Sequence, residues 1–369
     1  MNLEGPDQHR HVRRPERRRF GCLPVLVAVV VLVGGGFLVV TLGLKTIESH
    51  FGAAGDYSGS GTGSVLVEVQ SGDTAADIGR TLKADGVVKT VTAFTDTARD
   101  DPRSTSIQVG FYEMRKQMSA AAALAILVNP QNLVQTVVTI PEGFTVDQIL
   151  ARLAAHSHFS VKQFEAVLKK PSSIDLPGFA HGNAEGFLFP ATYPFPPNAT
   201  PTSILTTMVD RYQQAAVDLH LATRAAGLGH SEYELMIVAS LVQAEASRSQ
   251  DFGKVSRVIY NRLDKKMALQ FDSTIHYLLN KKGILSTTTD QTKIDSPYNT
   301  YLHTGLPPTP IMAPGQQAIE AALKPTPGRW LYFVTTNPRT GLTKFSTSYS
   351  QFLRDKAEYT KYCQTSDVC

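Results

Sequence analysis

The sequence predicts an α+β fold behind an N-terminal transmembrane helix. Three observations predict it: one long uncharged run near the start, small strand-turn-helix units after it, and a longer helical stretch that closes in a hairpin pattern. The chain has 369 residues, 42% hydrophobic against 18% charged. That balance buries a core and excludes wholesale disorder. At roughly 100 to 200 residues per domain, the length suits about two folded units plus appendages. The formal net charge of +4 is concentrated before Phe20, where Arg10, Arg13, Arg14, Arg17, Arg18 and Arg19 face only Glu4, Asp7 and Glu16. The remainder is nearly neutral and offers no basic face to track phosphates, which argues against a nucleic-acid partner.

Phe20 to Leu44 reads FGCLPVLVAVVVLVGGGFLVVTLGL and carries no charge. A helix needs roughly 20 such residues to cross a bilayer. A cleaved signal peptide is the competing reading, but its apolar region runs to about 7 to 15 residues before a small-residue cleavage site. A buried core helix fits less well, because nothing polar interrupts any face. The arginines then place residues 1–19 in the cytoplasm as a basic tail, residues 20–44 in the membrane and everything after Lys45 outside. Residues 45–64 include the Gly- and Ser-rich GAAGDYSGSGTGS, the composition of a flexible linker. Cys363 and Cys369 flank a short polar tail, residues 363–369, in what would be an oxidising compartment, so a local disulfide is open to them.

The elements follow in order. Val65 to Gln70 alternates like a strand, and Ser71-Gly-Asp-Thr74 supplies a turn and helix N-cap for Ala75 to Ala84. A similar unit recurs where QTVVTI leads through Pro141 to Thr145 into VDQILARLAA, ending at Ala155. Between them GFYEMRKQMSAAAALAILVN gives a further short strand and helix. Units of this kind bind glycans or act as spacers, and the two copies are too divergent to form a repeat array. A proline- and aromatic-rich loop, Glu185 to Pro197, precedes a helix over Ile204 to Leu219 and a second over Glu232 to Ser247. A helix at Val255 to Leu263, a long loop from Ser296 to Gly315, a helix at Gln316 to Leu323 and a hairpin of WLYFVTT with GLTKFS complete the chain. Loops as long as Ser296 to Gly315 inside a compact domain are usually functional.

On the Glu232 helix, Val238, Leu241, Val242 and Glu245 share one face, since residues three, four and seven apart line up. A carboxyl on an apolar stripe loses hydration, so it holds its proton towards neutral pH, as a general acid must. The plainer alternative is that Glu245 points to water or pairs with Arg248. Glu232 and Glu234 are accounted for by the helix dipole. No P-loop or dinucleotide fingerprint is present, and the ten His residues do not cluster at ligand spacing; neither cofactor nor metal is expected.

Six ordered segments then decide between these readings. VASLVQAEAS, VIYNRL, LQFDSTIHY, SPYNTYLHTGLPPTPI, APG and LYFV, with EGFLFPATY and VGFYEM upstream, resemble the YceG-like family of endolytic murein transglycosylases over essentially the whole chain after the anchor. The resemblance implies a LysM-like α/β region at residues 65–155 and a mixed helical and β catalytic domain at 156–362. It also implies cleavage within nascent peptidoglycan glycan strands to leave 1,6-anhydro-N-acetylmuramic acid ends, at the membrane and in the company of cell-wall synthases. The family's catalytic glutamate falls on Glu245, within Ala239-Ser-Leu-Val-Gln-Ala-Glu245. Its LQ-x-D corresponds to Gln270 and Asp272, and its YNTY to Tyr298, Asn299, Thr300 and Tyr301. Gly305 and Pro307 of the same loop join these as substrate-binding positions. Three positions depart from the pattern: Gln243 stands where many relatives carry a second Glu, Ser273 replaces the usual Pro, and a His is missing near Thr343 to Phe345. The last two read as peripheral.

A single carboxyl suffices for this chemistry, because the sugar's own C6 hydroxyl replaces water as the attacking group. A muramidase that uses Asp272 to activate water, and a non-catalytic peptidoglycan-binding tether, are the alternatives.

Overall fold

The computed structural model describes residues 55–280 and 287–366, which form an α+β chain of many helices and three small two-stranded sheets. The expected tail and span at 1–44 lie outside the described residues. Among the described residues no helix is long and apolar enough to cross a membrane. The chain divides into two compact units after Leu133.

In the first unit, strand β1 (Ser60–Val69) is followed by helices α1 (Ala75–Ala84) and α2 (Val91–Asp100). Strand β2 (Gly110–Met118) and helix α3 (Ala120–Leu127) complete it. β1 and β2 pair antiparallel, and Val67, Leu82, Phe94, Tyr112 and Leu124 fill the core. Thr74 and Asp77 cap α1 reciprocally, as the turn chemistry predicts. Two features differ from the sequence reading. Helix α2 is rich in Thr and Asp, which weakens its intrinsic signal, yet the Thr90 cap and burial of Phe94 fix it. The expected linker also stops short: residues 60–64 belong to β1, with Ser60 opposite Met118. Gly61 has φ +74°, and a Cβ there would lie 2.5 Å from the Lys116 carbonyl oxygen. This glycine thus serves close strand pairing rather than flexibility. Asp56 accepts a hydrogen bond from the Ala120 N–H at 2.9 Å, which ties the segment before the strand to the start of α3.

The second unit opens with strand β3 (Thr136–Thr139) and helices α4 (Val146–Ala155) and α5 (Val161–Leu168). β3 pairs with strand β4 (Thr192–Phe195), inside the stretch read as a loop. Pro194 hides that strand, yet proline is tolerated in short edge strands. Because β3 finds its partner here, residues 134–155 pack in this unit and not with the preceding one, where the strand-turn-helix pattern had grouped them. Their core joins Val138, Ile149 and Leu153 to Phe164, Tyr193 and Met208.

Helices α6 (Pro201–Asp218), α7 (Leu221–Gly227), α8 (Glu232–Glu245), α9 (Phe252–Asp264), α10 (Asp272–Leu278) and α11 (Gln316–Leu323) follow. The antiparallel hairpin β5 (Tyr332–Asn337) and β6 (Leu342–Ser346) and helix α12 (Tyr349–Thr365) close the chain. α8 packs against α9 and α11. Every residue from Leu235 to Val242 is buried, so this helix is enclosed on all sides rather than along one stripe. α12 runs into the expected polar tail. Cys363 is disulfide-bonded, and Cys369 lies outside the described residues.

Candidate active site

Glu245 is the last residue of α8; Ala246 leaves the helix in an extended conformation. The enclosed helix therefore delivers a half-buried carboxyl to the wall of a cleft of about 350 Å³, with Arg262, Gln270, Asp272, Tyr301 and Tyr332 among its neighbours. Burial, first of all, raises the Glu245 pKa to about 7, and the negative charge of Asp272 adds to the rise. The Ser273 hydroxyl and amide and the Arg262 charge pull in the opposite direction. The Ser273 hydroxyl is buried and makes no hydrogen bond of good geometry, so its influence on the carboxyl is one of proximity. Arg248, the alternative partner, pairs instead with Asp251 at 3.1 Å.

Of the sequence-predicted residues, Gln270, Asp272 and Tyr301 line this cleft with Glu245. Asp272 opens α10 and accepts a hydrogen bond from the Tyr301 hydroxyl at 2.6 Å. Gln270 adopts φ +54°, and its N–H donates to the Thr300 carbonyl at 2.9 Å. The other expected residues do not line this cleft. Thr300 is buried and accepts from the Phe271 N–H at 2.9 Å through its hydroxyl, which also meets Thr274 Oγ1. Asn299 is fully buried. Its Nδ2 donates to the carbonyls of Thr292 and Ile294, and its Oδ1 accepts from the Tyr301 N–H at 3.0 Å. Its amide groups are thus engaged within the loop, and its Oδ1 holds the Tyr301 backbone. Tyr298 belongs to a separate pocket of about 330 Å³ beside Tyr277 and Glu185. Gly305, with φ +93°, and the buried Pro307 are not among the residues lining the cleft.

Arg262 was not singled out by the sequence reading. Its Nε donates to the Leu331 carbonyl at 2.7 Å, and its Nη1 donates to those of Leu269 at 2.6 Å and Ala268 at 3.2 Å. The guanidinium lies 5.3 Å from the Tyr332 ring centre. A signal existed: Val255, Val258, Ile259 and Arg262 fall on one face of α9 and are all buried, and an arginine on an apolar face needs a reason. Ser273, which the sequence reads as peripheral, adjoins the Glu245 carboxyl. A second carboxyl, Glu185, is buried and raised to about 7, chiefly by desolvation. It accepts from the Val146 N–H at 3.1 Å and the Tyr277 hydroxyl at 3.3 Å. Among the described residues no group of three or more His, Cys, Asp or Glu is placed to hold a metal.

A carboxyl that holds a proton near neutral pH in a polar cleft defines an acid–base site. Residues 67–358 match the YceG-like family, and the chain belongs to that family. The endolytic murein transglycosylase of Bacillus subtilis (strain 168) is 30% identical over 344 residues, covering 89% of this chain and 91% of that protein. The protein of that name from Streptococcus pneumoniae (strain D39) is 33% identical over 302 residues, which cover 73% of this chain and 54% of its own length. A crystal structure of a yceG-like protein from Listeria monocytogenes superposes with a TM-score of 0.52 at 27% identity, covering 79% of this chain and 99% of that one.

Proposed function

We propose that this chain is a membrane-anchored endolytic peptidoglycan transglycosylase that cleaves the bond from N-acetylmuramic acid to N-acetylglucosamine in nascent strands. The observation that carries the reading is the Glu245 carboxyl, raised to about 7 and set in the wall of a polar cleft. Protonated Glu245 donates to the departing glycosidic oxygen while oxocarbenium-like charge develops on the muramic ring. The substrate's acetamido group stabilises that charge. Glu245, now a carboxylate, accepts the proton of the C6 hydroxyl as its oxygen closes onto C1. Both states of Glu245 have support: burial and Asp272 favour the acid, and Ser273 and Arg262 favour the anion. The same group can therefore act first as acid and then as base.

The presence of Asp272 in the same cleft favours one second reading, in which it activates water and the product carries a reducing end. The YceG-like match supports the first reading, as do relatives that bear the transglycosylase name. In the proposed setting residues 20–44 anchor the chain, the unit ending at Leu133 is a LysM-like glycan-holding module, and cell-wall synthases work nearby. With the full-length chain and uncrosslinked glycan strands, Glu245→Gln should lower the cleavage rate by roughly 10² to 10⁴-fold, with strand binding intact. Wild-type rates from that variant would remove Glu245 from the chemistry.

A further inference from the structure

Arg262 is only 7% exposed, yet its hydrogen-bond partners are all neutral carbonyls. Among the described residues no carboxylate lies within ion-pair distance of it. Burying a guanidinium without a carboxylate in ion-pair contact is costly, and Glu245 influences it only from beyond that distance. Nε and Nη1 are engaged, whereas Nη2 makes no hydrogen bond among the described residues. The side chain lines the cleft, so this unbonded edge is its means of meeting a ligand.

A second cation stands on the same wall. Lys356 of α12 lines the cleft and is exposed. Its acidic neighbours on that helix, Asp355 and Glu358, are taken by Lys344 at 4.0 and 2.7 Å. Lys356 is left without an ion pair among the described residues. A planar guanidinium edge and a flexible ammonium suit a carboxylate, which the first can grip directionally and the second can attract as a point charge.

We propose that Arg262 and Lys356 together bind a carboxylate of the glycan strand beside the scissile bond, and thereby select a muramic residue that presents one. This inference rests on the transglycosylase reading. The carboxylate is either the lactyl group of a muramic residue stripped of its peptide or a carboxyl of the stem peptide. Both share one chemistry, and the substrates separate them.

The test measures kcat and KM for the full-length chain on three uncrosslinked strands: peptide-bearing, peptide-stripped with free lactyl carboxylates, and peptide-stripped with those carboxylates converted to neutral amides. The wild type should show a KM roughly tenfold lower on a strand bearing the recognised carboxylate than on the neutral strand, in line with one charge-assisted hydrogen bond. Lys356→Gln, which removes the charge without adding an anion to the cleft, should raise that KM by about as much and raise the KM on the neutral strand by less. As an exposed residue, Lys356 can be changed without disturbing the core. Arg262→Lys should show the same substrate dependence, with an added loss of kcat from the lost carbonyl contacts. An effect confined to stripped strands identifies the lactyl group, and one confined to peptide-bearing strands identifies the stem peptide. Equal KM values on charged and neutral strands, or Lys356→Gln acting on all alike, would overturn the proposal. Failure of the wild type to cleave any strand would instead bring down the transglycosylase reading beneath it.

Discussion

Glu245 is a useful acid because its neighbours oppose one another. Burial and Asp272 push its pKa up, and Ser273 and Arg262 pull it down, with the result near 7. In the proposed mechanism the acid form is required for cleavage, so rate should fall as pH climbs through about 7. Asp272→Asn removes a negative charge and should move that alkaline limb to lower pH. Ser273→Ala removes a stabilising hydroxyl and should move it to higher pH. Rate profiles of both variants check this, and a limb that stayed put in both would mean that another group controls it. Glu245 stood out from the helical periodicity, and the resemblance to the YceG-like family added Gln270, Asp272 and Tyr301, which line the same cleft. The sequence could not separate Tyr301 from Asn299 and Thr300, since neighbours in an irregular loop turn to opposite sides: Asn299 is wholly buried while Tyr301 lines the cleft.

At the scale of elements, α8 is held in place by polar residues that a hydrophobic pattern does not explain. The buried Ser240 hydroxyl donates to the Ile237 carbonyl at 2.8 Å and accepts from the Ile311 N–H at 3.2 Å, which fastens α8 to the long loop. Gln243 accepts from the Gly315 N–H at 3.0 Å and so serves the same junction. Ser240→Ala leaves the Ile311 N–H unsatisfied and should cost roughly 1–3 kcal/mol, read by chemical denaturation; unchanged stability would show that the junction does not depend on it. Strongly patterned elements were legible: the helices Ala75–Ala84 and Gln316–Leu323 fall at their expected bounds. Helix α2, strand β4 and helix α12 were not, because Thr- and Asp-rich, proline-bearing and highly polar sequences take their structure from tertiary partners.

At the scale of the whole molecule, burying a carboxyl makes stability depend on pH. Glu185 rises from 4.5 unfolded to about 7 folded, so between those values the folded state keeps a proton that the unfolded state releases. Stability should therefore fall as pH rises through that window and level off above it. Glu185→Gln keeps an acceptor for the Val146 N–H and removes the charge. It should be more stable than the wild type at pH 8, by on the order of 1–3 kcal/mol, and the difference should close by about pH 4. Denaturation curves across pH check this; a gap independent of pH would detach Glu185 from the effect. The division after Leu133 was legible only roughly, since a strand's partner across 50 or so intervening residues is set by pairing and not by local pattern.

In the proposed mechanism one carboxyl cuts the strand without water. The measurement that tests it most directly is mass spectrometry of the products when the full-length chain acts on uncrosslinked strands in ¹⁸O-water. The expected products end in 1,6-anhydro-N-acetylmuramic acid and carry no label. Reducing ends that carry ¹⁸O would contradict the claim and assign the attack to water, with Asp272 as the base.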